Sequence, residues 1–176
     1  MYAAQFLTGL DVNSPSWDLF IFLFFIVAVF IYGFTLGRSR IMVLLISTYM
    51  AIALVRTAPE LLTTQDVTIG SSPFFIVQIT AFIAAMLLIF FFLSNSALRR
   101  AFTATDVQGK VWQIISFSIA HAGLLVATVL SFLPAAERSG LLGPTQALFA
   151  SDQALFFWTL GPIILMMFVR DPEEDD

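Results

Sequence analysis

The 176-residue sequence contains no cysteine, a single histidine and few charged residues. Without cysteine, a disulfide, thiolate chemistry and a cysteine-based metal site are excluded. One histidine leaves too few ligands for a haem or a zinc ion bound in the usual way. The motifs HExxH and GxSxG, Ser/Lys dyads, Walker loops and paired intramembrane aspartates are also missing. We therefore expect no catalytic, cofactor-binding or metal-binding residues, and a protein that is not an enzyme.

Charged residues make up 11% of the sequence, whereas hydrophobic residues make up 59% and phenylalanine alone occurs 20 times. Soluble domains average about 25% charged residues, so this composition predicts an integral membrane protein that has the lipid bilayer as a partner. The net charge of −4 comes largely from the tail at 171–176. Because the rest of the chain is nearly neutral, charge gives no indication of a nucleic-acid partner.

Four apolar stretches have the character of membrane-crossing helices, which need about 20 apolar residues for about 30 Å of hydrocarbon. Asp18, directly before the first stretch, complements the dipole of that helix. The second stretch is short, because Arg56 and Pro59 follow it. In chain order the predicted spans are Leu19–Leu36, Ile41–Val55, Phe74–Leu93 and Val111–Leu133.

A fifth apolar stretch, Ala154–Val169, is under length and is interrupted by Gly161 and Pro162. Both a kinked span and an interfacial or re-entrant helix fit it, and we favour the span. The predicted fold class is therefore all-α, an integral membrane helical protein with four long spans plus a fifth short Gly-Pro-interrupted segment. We expect an external N-terminal segment at 1–17, one transmembrane domain at 18–170 and an acidic cytoplasmic tail at 171–176.

The basic residues predict the orientation, because lysine and arginine concentrate in cytoplasmic loops. Only Arg138 and the boundary residue Arg56 fall on the other side, so the N-terminus is expected outside. The two outer loops carry leucines and phenylalanine between polar residues, which is typical of short amphipathic helices on the membrane surface. The residues predicted to be cytoplasmic are Arg38, Arg40, Arg99, Arg100, Lys110 and Arg170.

The only histidine belongs to a polar stripe on the fourth apolar stretch. At 100° per residue, Gln113, His121, Thr128 and Ser131 fall within an arc of about 80°. A polar stripe along a membrane helix faces other helices or water rather than lipid. It forms either a polar path with His121 as a titratable point, or interhelical hydrogen bonds. We favour hydrogen bonds, because no second ionisable residue lies deep in a span. The candidate partners on other helices are Gln78, Ser47, Thr48 and Tyr49.

Three glycines are candidates for close helix packing. Gly33 and Gly37 form a GxxxG motif at the cytoplasmic end of the first stretch, although a loosened helix end fits them equally well. Gly123 follows His121 on the fourth stretch. A stripe too broad for one thin bundle to hide favours self-association, so we expect a homo-oligomer or a complex with other membrane proteins.

Three stretches of the sequence resemble the colicin V production protein family of small bacterial inner-membrane proteins. They read WDLFIFLFFIVAVFIYGFTLGRSR, LRRAFTATDVQGKVWQIISFSIAHAGLLVATVLSFL and ERSGLLGP, and together they span roughly 17–145. Where the family places an Arg-Gly pair and several glycines, this chain has His121, Ala122 and Gly123. The resemblance carries over no catalytic residue.

The resemblance implies a protein of the bacterial inner (cytoplasmic) membrane with a role in envelope maintenance or export. We expect a channel-like or accessory component of envelope transport. The alternative is a non-transporting scaffold subunit of a larger membrane complex.

Overall fold

A computed structural model describes residues 17–35, 37–62, 74–95, 111–143 and 145–168. The predicted external segment before Trp17, the acidic tail and the basic residues Arg99, Arg100, Lys110 and Arg170 lie outside this description. The described part is all-helical and contains no strand. Its elements are α1 Trp17–Thr35, α2 Gly37–Leu62, α3 Phe74–Ser94, α4 Val111–Ser131, α5 Ala135–Leu141, a π-helical turn Gln146–Ala150, and α6 Asp152–Phe168.

Three helices of the described residues are long and apolar enough to cross a membrane: α2 over Ser39–Ala58, α3, and α4. Two shorter apolar helices, Trp17–Tyr32 within α1 and the whole of α6, accompany them. The predicted all-α class is therefore confirmed, and the three long apolar helices indicate a membrane-embedded protein. The sequence predicted four long spans, whereas three helices of the described residues are long and apolar enough to cross a membrane.

The second helix is longer than predicted, because α2 continues past Arg56 and Pro59 to Leu62. Both residues had indicated the end of the span at Val55. Arg56 is exposed, and its Nη2 donates a hydrogen bond to Ser131 Oγ at 3.4 Å. The long side chain thus carries its charge to the end of a neighbouring helix, so the charge does not require the helix to stop.

The fifth apolar stretch is also less broken than predicted, because α6 runs without interruption through Gly161 and Pro162. A proline removes one intrahelical donor, here the one that would bond the carbonyl of Trp158. Tyr49 of α2 donates its hydroxyl proton to the neighbouring carbonyl of Thr159 at 2.6 Å, and α6 packs along α4. Packing neighbours of this kind keep proline-containing helices intact in membrane proteins.

The fourth helix, α4, is the centre of the bundle. It packs against α1, α2, α6 and the π-helical turn. Its Phe117 and Leu124 share a buried apolar cluster with Ile41 and Leu45 of α2. The third helix is peripheral: it packs along α2, and Phe82 is its one buried residue among those described. The arrangement leaves most of α3 facing outward.

Many large apolar side chains are exposed on the outside of the bundle, unlike those of a water-soluble protein. Phe92 is 67% exposed and Met167 is 74% exposed. Apolar surface on this scale marks contact with lipid or with another protein. Polar side chains of α2 and α4 are turned inward instead, as membrane helices require. The buried ones are Ser47, Thr48, Gln113, Ser118, His121 and Thr128.

The segment between α4 and α6, which was predicted to be the second outer loop, contains α5 and the π-helical turn. The sequence predicted short amphipathic helices on the membrane surface here. The π-helical turn instead packs against α4 and α6, where Phe149 and Ala150 are buried. Arg138 of α5 donates from Nη1 to the carbonyl of Ala150 at 2.9 Å, which joins the two short elements. This part of the loop is thus integrated into the bundle.

Candidate functional site

His121 lies at the point where three helices meet. It has no exposed surface, and its Nε2 lies 3.0 Å from Oγ1 of Thr48 on α2. The Thr48 hydroxyl donates its one proton to the carbonyl of Leu44 at 2.8 Å. It can therefore only accept from His121, so we assign the imidazole proton to Nε2. The other nitrogen, Nδ1, is then an acceptor, and no described group bonds to it.

Tyr32 completes this junction from α1. Its ring lies 5.0 Å from the imidazole ring, centroid to centroid, with an interplanar angle of 43°. His121 thus contacts α1 through Tyr32 and α2 through Thr48. Tyr32 was not among the residues predicted from the sequence. The available signal was its hydroxyl, since this is the one tyrosine in a helix otherwise rich in phenylalanine.

The remaining stripe residues face the interior of the bundle to different degrees. Gln113 is buried, and Thr128 has no exposed surface. Ser131 is half-buried at the end of α4, where its hydroxyl donates to the carbonyl of Thr128 at 2.7 Å. The hydroxyl of Thr128 itself has no partner among the described residues.

Of the four predicted partners, Thr48 alone hydrogen-bonds to the stripe within the described part of the chain. Ser47 is buried and donates to the carbonyl of Val43, on its own helix, at 2.8 Å. Tyr49 bonds α6 rather than α4, through Thr159. Gln78 is half-buried on α3, the peripheral helix.

Gly123 allows α6 to lie directly against α4. A Cβ atom at this position would overlap Cε3 and Cζ3 of the Trp158 indole. The indole is held from its other sides: Nε1 donates to the carbonyl of Leu148 at 2.8 Å, and the ring stacks on Phe149 at 5.5 Å and 11°. Gly123 is therefore a packing position between these two helices.

The other two predicted packing glycines belong to successive helices. α1 ends at Thr35, after Gly33, and α2 begins at Gly37. The structure does not describe the side-chain environment of either glycine.

Asp18 forms a second polar cluster that the sequence analysis did not predict. The carboxylate is 8% exposed and accepts hydrogen bonds from the backbone N–H of Gly143, at 2.9 and 3.1 Å, and of Thr145, at 3.1 Å. The Thr145 hydroxyl also donates to it. Charge-assisted bonds of this kind are stronger than neutral ones. They connect the start of α1 to the loop that follows α5.

The chemistry open to these clusters is hydrogen bonding. The described residues include no group of three or more histidine, cysteine, aspartate or glutamate side chains that could hold a metal ion. Three buried side-chain atoms of the described residues have no hydrogen-bond partner: Nε of Arg138, Nδ1 of His121 and Oγ1 of Thr128. The last two belong to residues seven positions apart, about two turns of α4. Each can bond to a water molecule or to a polar group that enters the bundle.

No protein-family model matches the chain, and the comparisons with curated proteins and with solved structures give no match.

Proposed function

We propose that the chain is a multi-pass protein of the bacterial cytoplasmic membrane, with the N-terminus outside and the acidic tail in the cytoplasm. Contacts between helix ends support a topology in which successive helices cross the membrane in opposite directions. Asp18 at the start of α1 meets the loop after α5, and Arg56 near the end of α2 meets Ser131 at the end of α4. Arg40, in the first turn of α2, is at the opposite end of that helix, as expected for a cytoplasmic residue.

Within that membrane the chain acts as an accessory component of a larger assembly for envelope transport or maintenance. One observation carries this role: four polar side chains of the interior form direct hydrogen bonds within the bundle. The hydroxyls of Ser47, Thr48 and Ser118 each donate to a carbonyl of their own helix, and His121 bonds to Thr48. An interior of this kind favours packing over conduction by a single chain. The resemblance to the colicin V production proteins supplies the envelope role.

A channel-like function is the second candidate, and the atoms without partners favour it. Nδ1 of His121 and Oγ1 of Thr128 lie on one face of α4 and could bond successive water molecules or a small neutral solute. A scaffold subunit without any transport role would have the same hydrogen-bonded interior as an accessory component. The two are distinguished by the partner proteins that they bind. A scaffold is distinguished from a channel because it passes no solute.

Flux measurements on reconstituted vesicles separate these functions. If the chain has the accessory role, vesicles that contain the purified protein should take up glycerol no faster than protein-free vesicles. Glycerol uptake is followed by light scattering. Glycerol flux that Thr128→Val abolishes would contradict that role and support the channel. The matched control is Thr80→Val, because Thr80 is exposed on α3 and bonds to Ile76 of its own helix.

Co-purification from bacterial membranes tests the accessory role directly. After crosslinking and mild solubilisation, we expect a stoichiometric complex that contains envelope-export or envelope-maintenance proteins. A complex with partners of other function would support the scaffold. Light scattering of the purified chain measures the expected self-association, and a clean monomer would count against a homo-oligomer.

A further inference from the structure

An apolar groove runs along the side of the bundle. It encloses about 650 Å³, within the range of about 300–1,000 Å³ found for small-molecule sites. Residues from Trp17 to Tyr32 of α1 line it, which corresponds to about 22 Å at 1.5 Å per residue. One leaflet of hydrocarbon is about 15 Å thick, so the groove is long enough for a whole acyl chain. Its walls include Phe20 and Phe24 of α1 and Ile83 and Met86 of α3, and its floor includes Leu125 and Val129 of α4.

The mouth of the groove carries a negative charge. Glu137, in the first turn of α5, lines this end together with Trp17 and is exposed. The described residues provide no ion-pair partner for its carboxylate. The neighbouring arginine, Arg138, donates to the carbonyl of Ala150, and Arg56 donates to Ser131. The Glu137 carboxylate, which has no cationic partner among the described residues, therefore lies at the mouth of the apolar groove. Trp17 lies beside it, and tryptophan is common at membrane interfaces.

We propose that this groove binds an amine-headed phospholipid from the leaflet in which α5 lies. One acyl chain occupies the groove, and the ammonium group of the headgroup pairs with Glu137. The apolar lining selects hydrocarbon, and the single negative charge at the mouth selects a headgroup with a positive group over an anionic one. The proposal depends on the membrane placement of the bundle and is independent of its transport role.

Lipid retention measures the headgroup preference. The protein is reconstituted into vesicles with equal amounts of ethanolamine-headed and glycerol-headed phospholipid of identical chains, then extracted in mild detergent and analysed by native mass spectrometry. One retained phospholipid is expected, with about two- to fivefold more ethanolamine lipid, since an exposed charge pair is weak. In Glu137→Gln, the two phospholipids should be retained equally, and one phospholipid should still be bound through its acyl chain.

Filling the groove tests the acyl-chain site. Ile83→Trp places an indole in the groove and should abolish retention of both lipids. The control is Leu87→Trp, one turn further along α3 at an exposed position outside the groove lining, which should retain the lipid. Both variants are compared for thermal unfolding, so that loss of fold is recognised.

Four results would overturn the proposal, of which the first three concern lipid retention. These three are a wild-type protein without retained phospholipid, retention that Ile83→Trp does not reduce, and equal retention of the two headgroups in the wild type. A second copy of the chain crosslinked across the groove at Ile83 would also contradict it. Carbonate extraction of the same membranes tests membrane embedding separately, so failure of that premise is distinguished from failure of the lipid site.

Discussion

Substitution of Gly123 by alanine tests how α4 and α6 are held together. The added methyl group would overlap the six-membered ring of the Trp158 indole. The indole must therefore move. Because Trp158 contacts the π-helical turn as well as α4, its displacement affects the attachment of the segment between α4 and α6.

The magnitude follows from the contacts that the indole would lose. Trp158 donates one hydrogen bond to Leu148, stacks on Phe149 and contacts Phe25 edge-on at 6.0 Å. A hydrogen bond contributes about 0.5–1.5 kcal/mol, and each aromatic pair contributes a similar amount. With partial relaxation we expect Gly123→Ala to lower the free energy of unfolding by about 2–3 kcal/mol, in the range typical of overpacked cores.

The assay is reversible unfolding in mixed micelles, followed by tryptophan fluorescence and circular dichroism. Gly161 on α6 provides the matched control, because a Cβ atom there would have no neighbour within 4 Å. Gly161→Ala should leave stability unchanged or raise it by up to about 1 kcal/mol, through helix propensity. A double-mutant cycle with Trp158→Ala isolates the clash, since Gly123→Ala should cost almost nothing once the indole is removed.

Two results would refute the reasoning. One is a Gly123→Ala protein as stable as the wild type. The other is a cost that persists undiminished in the Trp158→Ala background, which would place its origin elsewhere than in the contact between these residues.

Three further predictions concern Asp18, His121 and the topology. Asp18→Asn should destabilise the protein by about 1–3 kcal/mol, because the amide cannot accept all the hydrogen bonds from the outer loop. The control substitution at an exposed position, Asp152→Asn, should cost less than about 1 kcal/mol in the same unfolding assay in mixed micelles. His121→Leu should lower stability by about 1–2 kcal/mol, whereas His121→Gln should keep a donor for Thr48 and stay near wild type; equal losses would contradict the hydrogen-bond role. A reporter fused after Asp176 should be cytoplasmic and one within 59–72 external, and the opposite result at both sites would reject the orientation.

The sequence predicted what depends on apolar pattern and periodicity. The ends of α3 and α4 lie within two residues of the predictions, because polar residues and Pro134 bound uniform apolar stretches. The helical period placed Gln113, His121 and Thr128 on one side of α4, and all three are buried. These features are local, so a single stretch of sequence contains the information.

The contacts between distant residues were not accessible in this way. Asp18 and Thr145 are 127 positions apart, and Asp18 alone indicates only a favourable helix start. Likewise, Gly123 indicates helix packing without naming Trp158 as the residue that covers it. Such pairs arise from tertiary packing, which composition and period do not encode. The partner of Arg56, Ser131, likewise lies on another helix.

The central claim is that apolar side chains of the bundle face lipid and polar side chains face inward. Because the sequence has no cysteine, single-cysteine variants can be spin-labelled without background. Labels at Ile115 and Ile119, on the exposed face of α4, are compared in vesicles with a label at Glu137. We predict that Ile115 and Ile119 are accessible to oxygen and shielded from a water-soluble nickel complex, and that Glu137 is accessible to the complex. Equal access of the nickel complex to all three positions would contradict the claim.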